Sequence, residues 1–253
     1  MGSSSVGGSS SSSGGSGSGS SSGAVALLYT NSFEDGPADG QPYPTTGAGT
    51  GSLVNDVDTL AAFYTGGFVH VMTTYGDGTR GIRFNTSNER FGGSNYSFFP
   101  AQMFFRSGFV AIPHQLFTFQ LALPVLYSHD MPSSYWEHRD VFSAWNMASN
   151  KLFAVQYTSD TSVCLMLAGS QVDCLTIPRG AGGSRHTVTV EVEQGANPSL
   201  RFSYDGVMGN RVAWTVDPTF THMVVASAGN ALSSDTNTDY FSSLDHVTVQ
   251  QLP

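Results

Sequence analysis

The chain has 253 residues, with 19 Asp and Glu against 10 Lys and Arg, and a net charge of −9. No basic run is present to meet a phosphate backbone, so no nucleic-acid partner is expected. No apolar run reaches the ~18 residues that would suggest a membrane span.

Residues 2–23 are Ser and Gly, broken only by Val6. Such a segment has no apolar surface to offset its conformational entropy. Residues 1–23 are therefore expected to be a disordered tether, and 24–253 a folded domain. A polyserine tether before a β domain resembles mature bacterial surface lipoproteins and secreted polysaccharide-active proteins. That likeness implies an extracellular or cell-surface protein, with a lipid anchor upstream of Met1. An engineered linker is the alternative, and no Cys stands in the tether itself.

Beyond the tether, apolar residues alternate with a period of two. The stretch "LFTFQLAL" sets Phe117, Phe119, Leu121 and Leu123 against Thr118, Gln120 and Ala122. Next, "LFAVQYTS" sets Phe153, Val155 and Tyr157 against Ala154, Gln156 and Thr158. Then "HTVTVEVE" puts Val188, Val190 and Val192 on one face and Thr187, Thr189, Glu191 and Glu193 on the other. Turn-forming stretches such as "EDGPADG", "YGDG", "EQGANP" and "YDGVMGN" punctuate the chain, which predicts roughly a dozen short strands. With 17 Phe and 10 Tyr to fill a core between sheets, the expected fold is an all-β antiparallel sandwich.

Cys164 and Cys174 lie in two apolar segments flanking "AGSQ", which reads as a hairpin. Both are equally far from the turn, so a disulfide is expected, as suits an exported protein. Buried free thiols are the alternative. The spacing supplies too few ligands for zinc.

The order of motifs carries a resemblance. It runs "YTNSFEDG", "GTRGIRF", "MFFRSGFVAIP", "RDVFSAWN", "KLFAVQYTS", "GSRHTVTVEVE", "LRFSYDG" and "LDHVTVQ". This resembles the concanavalin A-like lectin/glucanase jelly roll, nearest to its polysaccharide-lyase-like and carbohydrate-binding members. In those, a strand bearing Arg follows the Gly-x-x-hydrophobic-Arg-Phe strand, and an Asp-bearing strand closes the fold. A Trp often precedes the strand matching "GSRHTVTVEVE", where Arg185 and His186 stand here. The resemblance implies a structural Ca²⁺ joining the chain ends, held by Glu34 and Asp245 with Asp35 assisting. Calcium takes six to eight oxygen ligands.

The densest chemistry is "SSYWEHRDVFSAWN", residues 133–146. Tyr135 is followed by Trp136, Glu137, His138, Arg139 and Asp140. Trp136 and Trp145 could stack on sugar rings, while Arg139, Gln156 and Tyr157 could bond hydroxyls or a carboxylate. A β-elimination lyase on this fold needs a base, an acid and a group that neutralises a uronate carboxylate. Tyr135, His138 and Arg106 are the candidates for those roles. The plainer alternative is that the stretch is a solvated sheet edge.

Other chemistries lack their signatures. The glucanase Glu-x-Asp-x-x-Glu and the alginate-lyase Arg-x-Glu-x-Arg motifs are absent. So are a Gly-x-Ser-x-Gly elbow, a phosphate loop and a His-Glu-x-x-His pair. Glu191 and Glu193 are expected to be ordinary exposed residues, and His114 a core or rim residue. The leading expectation is a jelly roll that binds a polysaccharide through its concave face and rim loops. A polysaccharide lyase and a capsid-like structural subunit are the alternatives.

Overall fold

The computed structural model describes residues 24–39, 41, 43–44, 47–60, 70–74, 77–86, 101–122, 140–159, 161–177, 185–228 and 240–253. The Ser/Gly tether lies outside these residues, as does 133–139 with Tyr135, Trp136, His138 and Arg139.

The first strands are β1 (Ala26–Asn31), β2 (Val57–Leu60), β3 (His70–Thr74), β4 (Arg80–Thr86) and β5 (Ala101–Phe105). One helical turn, α1 (Ser107–Val110), leads to β6 (His114–Ala122), β7 (Asp140–Asn146), β8 (Lys151–Ser159) and β9 (Ser162–Leu167). Then come β10 (Ser170–Thr176), β11 (Arg185–Glu193), β12 (Ser199–Tyr204) and β13 (Val207–Met208). The last are β14 (Val212–Ala213), β15 (Phe220–Ala228) and β16 (Tyr240–Gln251).

They form two antiparallel sheets. The larger runs β13-β12-β11-β6-β16-β4-β3, with β1 also on β16 and β14 on β12. The smaller runs β10-β9-β8-β7-β15-β5-β2. The alternation read from sequence explains the layering. Phe117 and Phe119 of β6 sit opposite Val190 and Val188 of β11, all buried between the sheets. Phe117 then meets Phe105 of β5 at 5.2 Å and Phe142 of β7 at 4.9 Å, edge to face. One ring thus links both layers through an arrangement that aromatic quadrupoles favour.

Two tight hairpins fix register. Leu167 pairs with Ser170 around Ala168 and Gly169, both at positive φ. Tyr204 pairs with Val207 around Asp205 and Gly206, also both at positive φ. Two successive positive φ values make a turn whose twist matches the flanking strands. The first hairpin places Cys164 directly opposite Cys174, and they form a disulfide. Asp173 of that hairpin accepts hydrogen bonds from the backbone N and Nδ2 of Asn210, each at 2.8 Å. This ties the edge of the smaller sheet to the segment after β13 of the larger.

The stretch "MFFRSGFVAIP" does not stay extended. The strand ends before Arg106, and α1 buries Phe109 completely. The turn crosses close over Asp56. A Cβ at Gly108 would lie 2.5 Å from Asp56 Oδ2, so any larger residue there would have to displace the Asp56 side chain.

Candidate functional site

The outward face of the smaller sheet collects the chemistry. Along β7, Phe142 and Ala144 point into the core, so Ser143 and Trp145 point out. Along β8, Phe153, Val155 and Tyr157 point in, so Ala154 and Gln156 point out. On β15 the alternation breaks. Phe220 and Met223 are both in the core cluster although three residues apart. The register explains this, because Phe220 pairs with Asn146 but His222 pairs with Trp145. Thr221 is the extra residue of a β-bulge, a device that re-aims side chains beside functional sites.

The bulge sets His222 in a row across four strands. Its ring stacks on Phe104 of β5, with centroids 5.0 Å apart. On the other side it lies parallel to Trp145, at 6.4 Å and 4° between planes. Lys151 of β8 completes the row, with Nζ 5.3 Å from the Trp145 ring centre. Side chains stand nearly perpendicular to a sheet, and strands are about 4.8 Å apart. Rings at these spacings therefore stand upright against one another. Their faces are used within the row, and their edges look outward. Trp145 was expected to offer a face to a sugar; instead its faces are turned toward His222 and Lys151.

The floor beside the row is covered. Ser143, Ala154 and Val224 are 1%, 0% and 1% exposed although they sit on the outward side. Part of the cover is internal. Lys151 Nζ reaches Asp140 Oδ2 at 2.8 Å, across a stretch of strand that includes Ala154. Trp145 Nε1 donates to Ser143 Oγ at 2.9 Å. Asp140 is buried, and that burial raises its pKa despite the attraction of Lys151. Its Oδ1 has no hydrogen-bond partner. At the other end, Arg106 follows Phe105, which pairs with Met223, so it lies at the register position beside His222. Its guanidinium pairs with the buried carboxylate of Asp58. Among the described residues, both cations of the face thus carry a buried counter-charge.

His222 was not singled out in the sequence. It is half-buried, and desolvation holds its pKa below the ordinary histidine value. Its Nδ1 lies 2.9 Å from Thr221 Oγ1, which in turn donates to the carbonyl oxygen of Trp145 at 3.1 Å. A dipeptide "TH" at one end of a strand carries no signal of its own. The bulge that matters is a tertiary property of the β7–β15 register.

Of the residues flagged in sequence, Arg106, Trp145 and Gln156 share this face. Gln156 pairs with Asp140 in register, five residues from Lys151 along β8. Tyr157 does not share it. It is 3% exposed, and its hydroxyl lies 2.8 Å from that of Tyr204 between the sheets. Its place is the core, because it has the inward phase of β8.

The expected calcium ligands do not fit a metal set. Asp245 Oδ2 pairs with Arg185 Nη1 at 2.8 Å. Glu34 Oε1 accepts from the Arg80 backbone N at 3.1 Å, and Asp35 is exposed. Asp245 Oδ1 is buried without a hydrogen-bond partner, a feature a cation would satisfy. But the cation beside Asp245 is a guanidinium, and calcium needs six to eight oxygens. Among the described residues no group of three His, Cys, Asp or Glu could hold a metal.

The outward face of the larger sheet holds a second charge cluster. Glu191, expected to be exposed, is only 6% exposed. Its Oε1 meets His114 Nε2 at 3.0 Å and Arg211 Nη2 at 2.6 Å, and its Oε2 meets Arg201 Nη2 at 3.0 Å. Three cationic partners cover it and satisfy both oxygens. This is a closed network that leaves no carboxylate for acid/base work.

An alginate lyase of polysaccharide lyase family 7 superposes with a TM-score of 0.52 at 10% identity, over 72% of this chain and 82% of that one. The fold it shares with this chain is a two-sheet antiparallel β-sandwich of the jelly-roll kind. A Trypanosoma rangeli sialidase shares the architecture with a TM-score of 0.51 at 11% identity, over 90% of this chain and 31% of its own. No family model and no curated protein matches the chain.

Proposed function

We propose that this jelly roll binds a carbohydrate on the outward face of its smaller sheet, along the Phe104–His222–Trp145–Lys151 row. The observation that carries the reading is the row itself. Mutual stacking holds its rings upright, so the polar atoms between them are fixed before a ligand arrives. A row of aromatic rings with a few placed polar groups suits the faces and hydroxyls of a sugar. Gln156, Arg106 and Lys151 add hydrogen-bond donors around it. The disulfide suits an oxidising compartment and supports an exported, cell-surface or extracellular role.

The lyase alternative asks more of the same face. It needs a base, an acid and an Arg, Gln or Asn to neutralise a uronate carboxylate; Arg106 already serves Asp58, which leaves Gln156 for that role. Its expected bases, Tyr135 and His138, lie outside the described residues. Binding is therefore the reading we favour.

Affinity electrophoresis tests it. Native gels cast with laminarin, hydroxyethyl cellulose, galactomannan, alginate or polygalacturonate should retard the protein in at least one case. Incubation with the two uronate polymers should release no unsaturated product absorbing in the ultraviolet. Free migration in every gel would refute binding, and a rising absorbance would establish the lyase instead.

A further inference from the structure

The hydrogen-bond pattern around His222 goes further, resting on the binding reading above. Thr221 has one hydroxyl proton. A carbonyl oxygen can only accept, so the 3.1 Å contact with Trp145 O takes that proton. The 2.9 Å contact between Thr221 Oγ1 and His222 Nδ1 must then be donated by the imidazole. Nδ1 carries the proton. In the neutral ring Nε2 is left with a lone pair, and no described residue partners it. Burial keeps the ring neutral at pH 7 by holding its pKa below the ordinary value.

We propose that His222 is the specificity-determining acceptor of this face: its bare Nε2 accepts a hydrogen bond from a hydroxyl of a neutral sugar and turns away a carboxylate at the same position. A hydroxyl can donate to a lone pair, whereas an ionised carboxylate can only accept and meets it lone pair to lone pair. The surroundings agree. Among the described residues, four charged side chains face or flank the row, namely Arg106, Asp58, Lys151 and Asp140, and they form two internal pairs. No unpaired cation among them is left to attract an acidic glycan. Phe104 and Trp145 hold the imidazole plane on both sides, so the lone pair has one direction. Thr221 is the positioning residue. The bulge supplies it, because a regular register would not set two successive residues of β15 opposite Trp145.

The tautomer can be read without any ligand. In the full chain labelled with ¹⁵N, a long-range ¹H–¹⁵N correlation spectrum at pH 7.5 separates protonated from bare ring nitrogens. His222→Gln assigns the signals. We expect protonated Nδ1 and bare Nε2, a pattern kept in Thr221→Ser and lost in Thr221→Val. A His222 protonated at Nε2, or at both nitrogens, overturns the proposal whatever the protein binds.

Selectivity is then read with the same probes. Neutral laminarin, hydroxyethyl cellulose or galactomannan should retard the wild type and shift the Nε2 signal, while alginate and polygalacturonate do neither. Thr221→Val should weaken retention about tenfold, with Thr221→Ser near wild type. Equal or stronger retention by the acidic polymers overturns the proposal while leaving the binding reading intact. Free migration in every gel overturns the binding reading, and the proposed selectivity falls with it.

Discussion

Nε2 of His114 and Oε1 of Glu191 lie 3.0 Å apart on the outward face of the larger sheet. His114 Nδ1 also lies 3.0 Å from the carbonyl oxygen of Pro253 and 3.1 Å from Glu193 Oε2. The histidine thus fastens Pro253 to β6 and β11. Burial, the largest single influence, would lower its pKa. The bonds to Glu191 and Pro253 and the charges of Glu193 and Glu191 together raise it above 6.5. Glu191 behaves inversely. Burial would raise it, but bonds to Arg211 and His114 and the charges of Arg211 and Arg201 bring it below 4.5.

The sign of the stability change follows from linkage. A raised histidine stabilises fully below its unfolded value and loses this as pH rises through its folded value. A depressed carboxylate stabilises fully above its unfolded value and loses this as pH falls through its folded value. The pair therefore contributes most between pH 4.5 and 6.5. Comparing Tm of wild type and His114→Gln across pH should show the largest gap in that window, narrowing toward pH 8. A gap that widens above pH 7 would mean the pair works differently.

Arg185 stands where the chain ends meet and pairs with buried Asp245. Removing one partner of a buried pair strands a charge and costs about 3 kcal/mol. Arg185→Gln should lose that much in urea denaturation. Because the guanidinium already supplies the positive charge, EDTA or added CaCl₂ should leave the wild-type Tm unchanged. A rise with calcium would restore Glu34 and Asp245 as metal ligands.

The disulfide links residues ten apart in sequence. By the chain-entropy estimate, a loop of that size constrains the unfolded chain by about 2–3 kcal/mol. Cys164→Ala with Cys174→Ala should therefore unfold at lower urea by that amount. The hairpin should persist, since the turn at Ala168 and Gly169 and the Asp173–Asn210 bonds hold it independently. Loss of all β-sheet circular dichroism in the double variant would show that the bridge is needed for folding itself.

The sandwich was legible because burial on one face of a strand imposes period two, as Phe117, Phe119 and Leu121 display. The Cys164–Cys174 pairing was legible because both lie five residues from Gly169, yet the register that joins them needs a bulge at Val172, since the Ala168–Gly169 turn alone would set Cys164 opposite Asp173. The site was less so. Arg106, Trp145 and Gln156 sit on the face, yet Tyr157 has the phase of the core, which the alternation around Val155 already implied. Glu191 looked solvent-facing by phase, but its partners Arg201 and Arg211 come from β12 and the segment beyond β13. His222 was invisible for a similar reason. Its direction comes from a bulge against β7, a register defect that no local pattern announces.

The most direct measurement of the central claim is the dissociation constant of Trp145→Ala, by calorimetry, for whichever glycan retains the wild type most strongly. Trp145 is partly exposed and lies on the row rather than in the core cluster, so the variant should keep its circular dichroism and fold. The account predicts at least a tenfold weaker Kd, about 1.4 kcal/mol, as the row loses the ring between His222 and Lys151. An unchanged Kd in a folded variant would contradict it and move the binding surface elsewhere on the jelly roll.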